Sequence, residues 1–127
     1  MLCTTKSVAR MNIHLKRVYE VPSQDDGMRI LIDRLWPRGL TKEKAHIDLW
    51  LKEVAPSTEL RKWFNHDPEK WPEFKRRYLE ELRRQPEALE HLIEAIGTRR
   101  ATLLFGSKEE RFNDAVALQE FIHARRK

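Results

Sequence analysis

The sequence predicts an α/β fold, a single compact domain with a small, mainly parallel sheet flanked by helices. Three observations carry that expectation. Residues 30–33 (Ile-Leu-Ile-Asp) and 101–105 (Ala-Thr-Leu-Leu-Phe) form short runs with apolar centres and little alternation, as in strands covered on both faces. Between them lie about seventy residues with the apolar spacing of helices. One further helical stretch follows the second run, so the order is strand, helices, strand, helix. A crossover of that length between parallel neighbours runs right-handed, with helices expected on both faces.

Each element has its own signal. Residues 1–11 lack periodicity and read as a loose tail ahead of a domain spanning 12–127, with Met11 a second candidate start. From Ile13 onward, Ile13, Leu15, Arg17 and Tyr19 alternate with His14, Lys16 and Val18, which predicts a strand bounded by Pro22 and the turn cluster 23–27. Its short connection to the next strand, 28–33, suits either a hairpin or an edge position, and Pro37 and Gly39 stop that second strand. Ile47, Trp50, Leu51 and Val54 space as one helix face closed by Pro56. Ser57 is a natural N-cap for a helix carrying Leu60, Trp63 and Phe64. Asp67-Pro68 opens the next segment, with Trp71, Phe74, Tyr78 and Leu82 on one face. Pro86 starts a helix carrying Leu89, Leu92, Ile93 and Ile96 and ended by Gly97. Residues 109–125, with Phe112, Ala115, Leu118 and Ile122, predict a terminal helix.

Composition narrows the function classes. With 40% hydrophobic and 35% charged residues, the 127-residue chain has a core beneath a heavily charged surface. Its apolar runs are too short to span a bilayer, and the N-terminal stretch has no apolar segment of the kind a secretory signal needs. The single cysteine, Cys3, excludes an internal disulfide and multi-cysteine metal sites, and a cytoplasmic location is expected. Twenty-five Lys+Arg against twenty Asp+Glu give a charge of +5, which favours polyanionic partners. The basic pairs Arg76-Arg77, Arg83-Arg84, Arg99-Arg100 and Arg125-Arg126 are dispersed among glutamates, so nucleic-acid binding is expected to be weak and independent of sequence. Residues 57–84 superficially suggest a helix-turn-helix, but Glu73, Glu80 and Glu81 would repel phosphates there. A non-catalytic interaction protein is a third reading.

Ligands of open α/β sheets bind at the carboxyl ends of strands. Asp33, Arg34, Trp36 and Arg38 leave the second strand, and Gly106-Ser107-Lys108 leaves the third just ahead of the expected helix, whose first amides would favour an anion. If those strands are neighbours, Arg34, Arg38 and Lys108 converge on one crevice, suited to a small phosphate- or nucleotide-like ligand through bidentate guanidinium bonds. Asp33-Arg34 reads equally well as an ion pair stapling the strand end, and Trp36 as packing beneath its loop. A second cluster holds Arg61, a further candidate for ligand binding, and His66; Asp33 or His66 would handle a proton, His66 near neutral pH, unless His66 simply caps its helix. Trp50, Trp63, Trp71, Phe74 and Tyr78 would serve as a base-stacking platform only if exposed, and helical spacing assigns them to the core. No zinc spacing, Walker loop, GxGxxG or GxSxG is present, so neither metal nor cofactor is expected.

The run 30–39 (Ile-Leu-Ile-Asp-Arg-Leu-Trp-Pro-Arg-Gly), with Ala55-Pro56-Ser57, Leu60-Arg61-Lys62-Trp63-Phe64, His66-Asp67-Pro68, Phe74, 78–82 and Thr102-Leu103-Leu104, resembles the short, YeaO-like branch of the family called domain of unknown function 488. The likeness extends from about Ile13 to the C-terminus. It implies a compact α/β domain of bacterial or archaeal type without an established activity. Longer relatives carry cysteines that look like part of an active-site set; this chain keeps Asp33 and Arg34 but has Phe105-Gly106-Ser107 and Phe112-Asn113-Asp114 at the corresponding places. From the short branch, Lys108 and Asn113 carry over, Asn113 as a residue that would orient a bound anion.

Overall fold

A computed structural model describes residues 12–125. The tail expected over 1–11, with Cys3 and Met11, lies outside the described residues, as does Arg126. Four strands, β1 (Ile13–Arg17), β2 (Met28–Leu31), β3 (Leu49–Trp50) and β4 (Ala101–Phe105), form one sheet in the order β1-β4-β2-β3. Every pairing is parallel. Leu103 stands opposite Leu15 on one side and Ile30 on the other, so β2 and β4 are the central neighbours that their apolar runs predict. β1 is an edge strand rather than half of a hairpin.

Five helices complete the chain: α1 (Lys42–Ala45), α2 (Thr58–Phe64), α3 (Trp71–Arg84), α4 (Pro86–Ile96) and α5 (Asp114–Arg125). Ser57 caps α2, its Oγ accepting from the Leu60 amide at 3.1 Å, and Glu81 fixes that serine by accepting from its amide and hydroxyl at 2.9 and 2.6 Å. α3 buries Trp71, Phe74, Tyr78 and Leu82, with Phe74 stacked on Phe64 of α2 at 4.4 Å. A base-stacking platform built on Trp71, Phe74 and Tyr78 is therefore absent, because these rings form core. α4 begins on Pro86 and stops at Gly97, whose φ of +58° suits glycine.

Cover on the two faces of the sheet is uneven. Helices α2 to α5 all pack on the face formed by Ile13, Ile30, Ile32, Leu103 and Phe105. The other face, with Val18, Leu31 and Leu104, is closed by Trp36, Leu40, Ile47 and Trp50 from the segment that carries only the one-turn α1. The expectation of helices on both faces holds only through that single turn.

One predicted helix gives way to other structure and another starts later than expected. Residues 47–54 form no α-helix: Leu49 and Trp50 pair with Ile30 and Leu31 as an edge strand, followed by a 3-10 turn at Lys52–Val54. The Asp48 and Leu51 amides donate to the carbonyls of Arg29 and Leu31, so hydrogen bonds that a helix would keep within itself go to the sheet. The terminal helix starts at Asp114 rather than at 109, because Asn113 caps it there.

Arg29 is a charged side chain inside the sheet, 4% exposed. It donates to Asp26 at 2.6 Å and to the carbonyls of Ala45 and His46 at 2.8 and 2.9 Å. Asp26 also accepts from Lys16 at 3.1 Å and from the Ser23 amide at 2.9 Å. Burial acts to raise the Asp26 titration, but the Ser23 amide and the two cations outweigh it and hold that carboxyl below its ordinary range. Gly27 lets this turn lie against the start of β4: its φ is +66°, and a Cβ would stand 2.3 Å from the Arg100 carbonyl oxygen, which accepts from the Met28 amide at 3.0 Å.

Candidate functional site

A cleft of about 440 Å³ opens where β2 and β4 end, within the size range of small-molecule sites. Asp33 and Arg34 reach it from the end of β2, Gly106 and Ser107 from the end of β4, Arg61, Lys62 and Phe64 from α2 with Asn65 and His66 just beyond it, and Phe112 to Asp114 from the start of α5. Parallel packing of the two central strands produces this meeting, since residues leaving their C-terminal ends arrive at the same rim.

Asp33 is held firmly. Its Oδ2 accepts from the Gly106 amide at 2.8 Å, and its backbone carbonyl accepts from the Trp50 indole at 2.8 Å. A Cβ on residue 106 would lie 3.3 Å from that carboxylate oxygen, so glycine allows the approach. Asp114 lines the cleft beside Asp33, and each carboxyl acts on the titration of the other. Burial pushes Asp33 above the ordinary aspartate range, against Asp114, the Gly106 amide and Arg61, which pull it down. Burial drives Asp114 well above that range, and the adjacent Asp33 charge adds to the effect. Neighbouring carboxyls oppose each other's ionisation, so the pair is expected to keep one proton at pH values where exposed aspartates have lost theirs. Tyr78, fully buried with its hydroxyl donating to the Val54 carbonyl, is driven well up by burial and by the charges of Asp114, Asp33 and Glu81.

The cations beside this pair lack carboxylate partners. Among the described residues neither Arg34 nor Arg61 forms an ion pair. One Arg34 terminal nitrogen donates to the Ala55 carbonyl at 3.1 Å, and its buried Nε has no partner among the described residues. Among the described residues no ion pair staples Asp33 or Arg34 to a helix; Asp33 accepts from the Gly106 amide instead.

Other predicted residues are placed as follows. His66 is an exposed residue on the cleft wall with φ +56°, and the helix cap falls to Asn65, whose amide donates to the Arg61 carbonyl at 3.0 Å. Asn113 lines the cleft with both ends of its amide engaged: Oδ1 accepts from the Val116 amide at 3.0 Å and Nδ2 donates to the Glu109 carbonyl at 2.7 Å. Trp36 packs edge-on against Trp50 at 5.4 Å and donates to the Leu40 carbonyl at 2.7 Å, outside the cleft lining. Arg38 and Lys108 are exposed and also lie outside it; the Arg38 carbonyl accepts from the Tyr19 hydroxyl at 2.9 Å. No helix begins beside Gly106-Ser107-Lys108, so the anion-favouring amides expected there belong to a loop. Sequence reasoning overlooked Asp114 as a site residue. Its one signal was position, in the triplet that replaces an active-site set of the longer relatives.

Among the described residues no helix is long and apolar enough to cross a membrane, and no cluster of histidine, cysteine and carboxylate side chains has the arrangement of a metal site. The fold is that of a parallel α/β domain, with Asp33, Asp114, Arg34 and Arg61 gathered at the strand ends. The chain itself belongs to the family of domain of unknown function 488: the model of the Inactive DUF488-N3 subclade matches residues 12–127. It is 40% identical over 114 residues to the uncharacterized protein YeaO of Escherichia coli K12, covering 90% of this chain and 99% of that protein. It is 37% identical over 118 residues to the uncharacterized proteins Mb3100c of Mycobacterium bovis and Rv3073c of Mycobacterium tuberculosis, covering 93% of this chain and 99% of each. No solved structure matches the chain significantly.

Proposed function

We propose that the protein binds a small anionic, phosphate- or nucleotide-like ligand in the cleft between the ends of β2 and β4. The observation that carries this reading is Arg34, a cleft-lining guanidinium with a buried, unpartnered Nε and no carboxylate counterion among the described residues. A buried donor left without a partner is costly, and an oxyanion supplies what it lacks. Arg61, on the same cleft, is the second cation of the site, in the role the sequence assigned to Arg38 and Lys108. The subclade's description as inactive supports binding rather than turnover, with Asp33 and His66 positioning the ligand.

Thermal melting across a phosphate and nucleotide series tests the reading. Phosphate is expected to raise the melting point beyond the effect of matched ionic strength, by mass action. Arg34→Ala removes a charged donor that contributes roughly 1.5–3 kcal/mol when bonded to an anion, weakening binding by one to two powers of ten. An Arg34→Ala protein that melts early without ligand yet keeps the full phosphate shift would assign Arg34 to structure alone. No shift of the wild type by any anion would end the reading.

A further inference from the structure

The cleft offers two opposed chemistries side by side, and a bare anion satisfies only one. Arg34 and Arg61 present donors and positive charge. Asp33 and Asp114 present carboxyl oxygens to the cleft; the Gly106 amide occupies one lone pair of Asp33 Oδ2, and the remaining oxygens can accept. Inorganic phosphate in its dianionic form carries a single P–OH, so it can donate to only one of those oxygens. Hydroxyl groups next to a phosphate complete the match, because each donates to a carboxyl oxygen while the phosphate occupies the guanidinium groups. The volume of about 440 Å³ accommodates a molecule well beyond phosphate in size, and Phe64 and Phe112 supply apolar wall for a sugar's C–H face.

We propose that the cleft selects a phosphorylated sugar over a bare anion, with Arg34 and Arg61 taking the phosphate and the Asp33–Asp114 pair accepting hydrogen bonds from the sugar hydroxyls. This rests on the anion-binding reading above and adds the hydroxyl requirement to it. Hydrogen bonds to a charged acceptor are stronger than neutral ones, so one or two are worth about a tenfold to hundredfold gain in affinity.

Calorimetric titration of the full chain with inorganic phosphate, ribose 5-phosphate and n-pentyl phosphate separates the two layers. Ribose 5-phosphate is expected to bind at least about tenfold more tightly than n-pentyl phosphate, which has the same charge and carbon count but no hydroxyls. In Asp114→Ala that margin is expected to vanish while phosphate binding persists. Equal affinities for the two esters in the wild type, a measurement needing no variant, would overturn the proposal and leave the anion reading intact. A margin that survives in folded Asp114→Ala would overturn it as well. Failure of all three ligands to bind would remove the anion reading and this one together.

Discussion

Replacing Arg29 with alanine is expected to lower stability by about 3–5 kcal/mol, the range for breaking a buried ion pair from one side. The variant strips Asp26 of one cation and leaves the carbonyls of Ala45 and His46 without a donor. Lys16 still reaches Asp26, which keeps the loss below that of a wholly stranded charge. Arg29→Lys should restore little, since one ammonium cannot reproduce a fork that serves a carboxylate and two carbonyls. Because the Asp26 carboxyl titrates below its ordinary value, its contribution is present above the ordinary aspartate range and is lost as pH falls through the lowered value. The wild-type advantage over Arg29→Ala should therefore shrink in acid. Urea unfolding at neutral and acid pH measures both effects, and a neutral-pH loss below about 1 kcal/mol would show that the network contributes little. Arg29 does not line the cleft, so the phosphate shift should survive in whatever fraction remains folded.

The second large effect has the opposite sign. Asp114→Asn is expected to stabilise the protein at neutral pH, because it removes one of two buried carboxyls that oppose each other's ionisation. Both carboxyls are raised in the folded state, so between the ordinary aspartate range and their raised values the folded chain holds more protons than the unfolded one. Wild-type stability then falls as pH rises through that window and levels off above it. Arg61 opposes both shifts and so sets where the window ends, with Arg34 and His66 also on the cleft wall. Asparagine abolishes most of this slope. The variant should match the wild type near pH 4 and exceed it at pH 7 by at least about 1 kcal/mol, since a tenfold change in proton affinity is worth about 1.4 kcal/mol. Melting points measured from pH 4 to 8 decide the matter; parallel curves for the two proteins would refute the retained proton.

Those two sites also mark where sequence reading succeeds and where it stops. β2 and β4 were legible because an unbroken apolar run has few alternatives to a strand covered on both faces, and Ser57, Pro86 and Gly97 mark helix ends by local chemistry. The segment at Leu49 and Trp50 was not, since apolar spacing over eight residues fits a helix face as well as a chain crossing a sheet edge. Residues 109–113 carried a helix-like apolar pattern, yet the cap at Asn113 decided the boundary. The role of Arg29 had no signal in the sequence, since its partners are a carboxylate from the turn before β2 and carbonyls at the end of α1. The cleft was half legible. Asp33 and Arg34 follow from the rule that ligands meet strand ends, and Arg61 was singled out in a separate cluster, whereas Asp114 joins them through folding contacts that no local pattern encodes.

The strand order has a consequence for how the chain comes to be folded. β1 and β2 never pair with each other; each is joined to the sheet through β4. During synthesis the first hundred residues can assemble helices and the short β2–β3 contact, but the sheet has no centre until residues 101–105 have left the ribosome. Pairing across so long a separation is slow, because chain entropy is lost before the contacts form. Until then the exposed edges of β1 and β2 offer the same unpaired backbone to any neighbouring chain. A nascent chain arrested before Ala101 should accordingly be protease-sensitive and prone to self-association, and extension past Phe105 should relieve both.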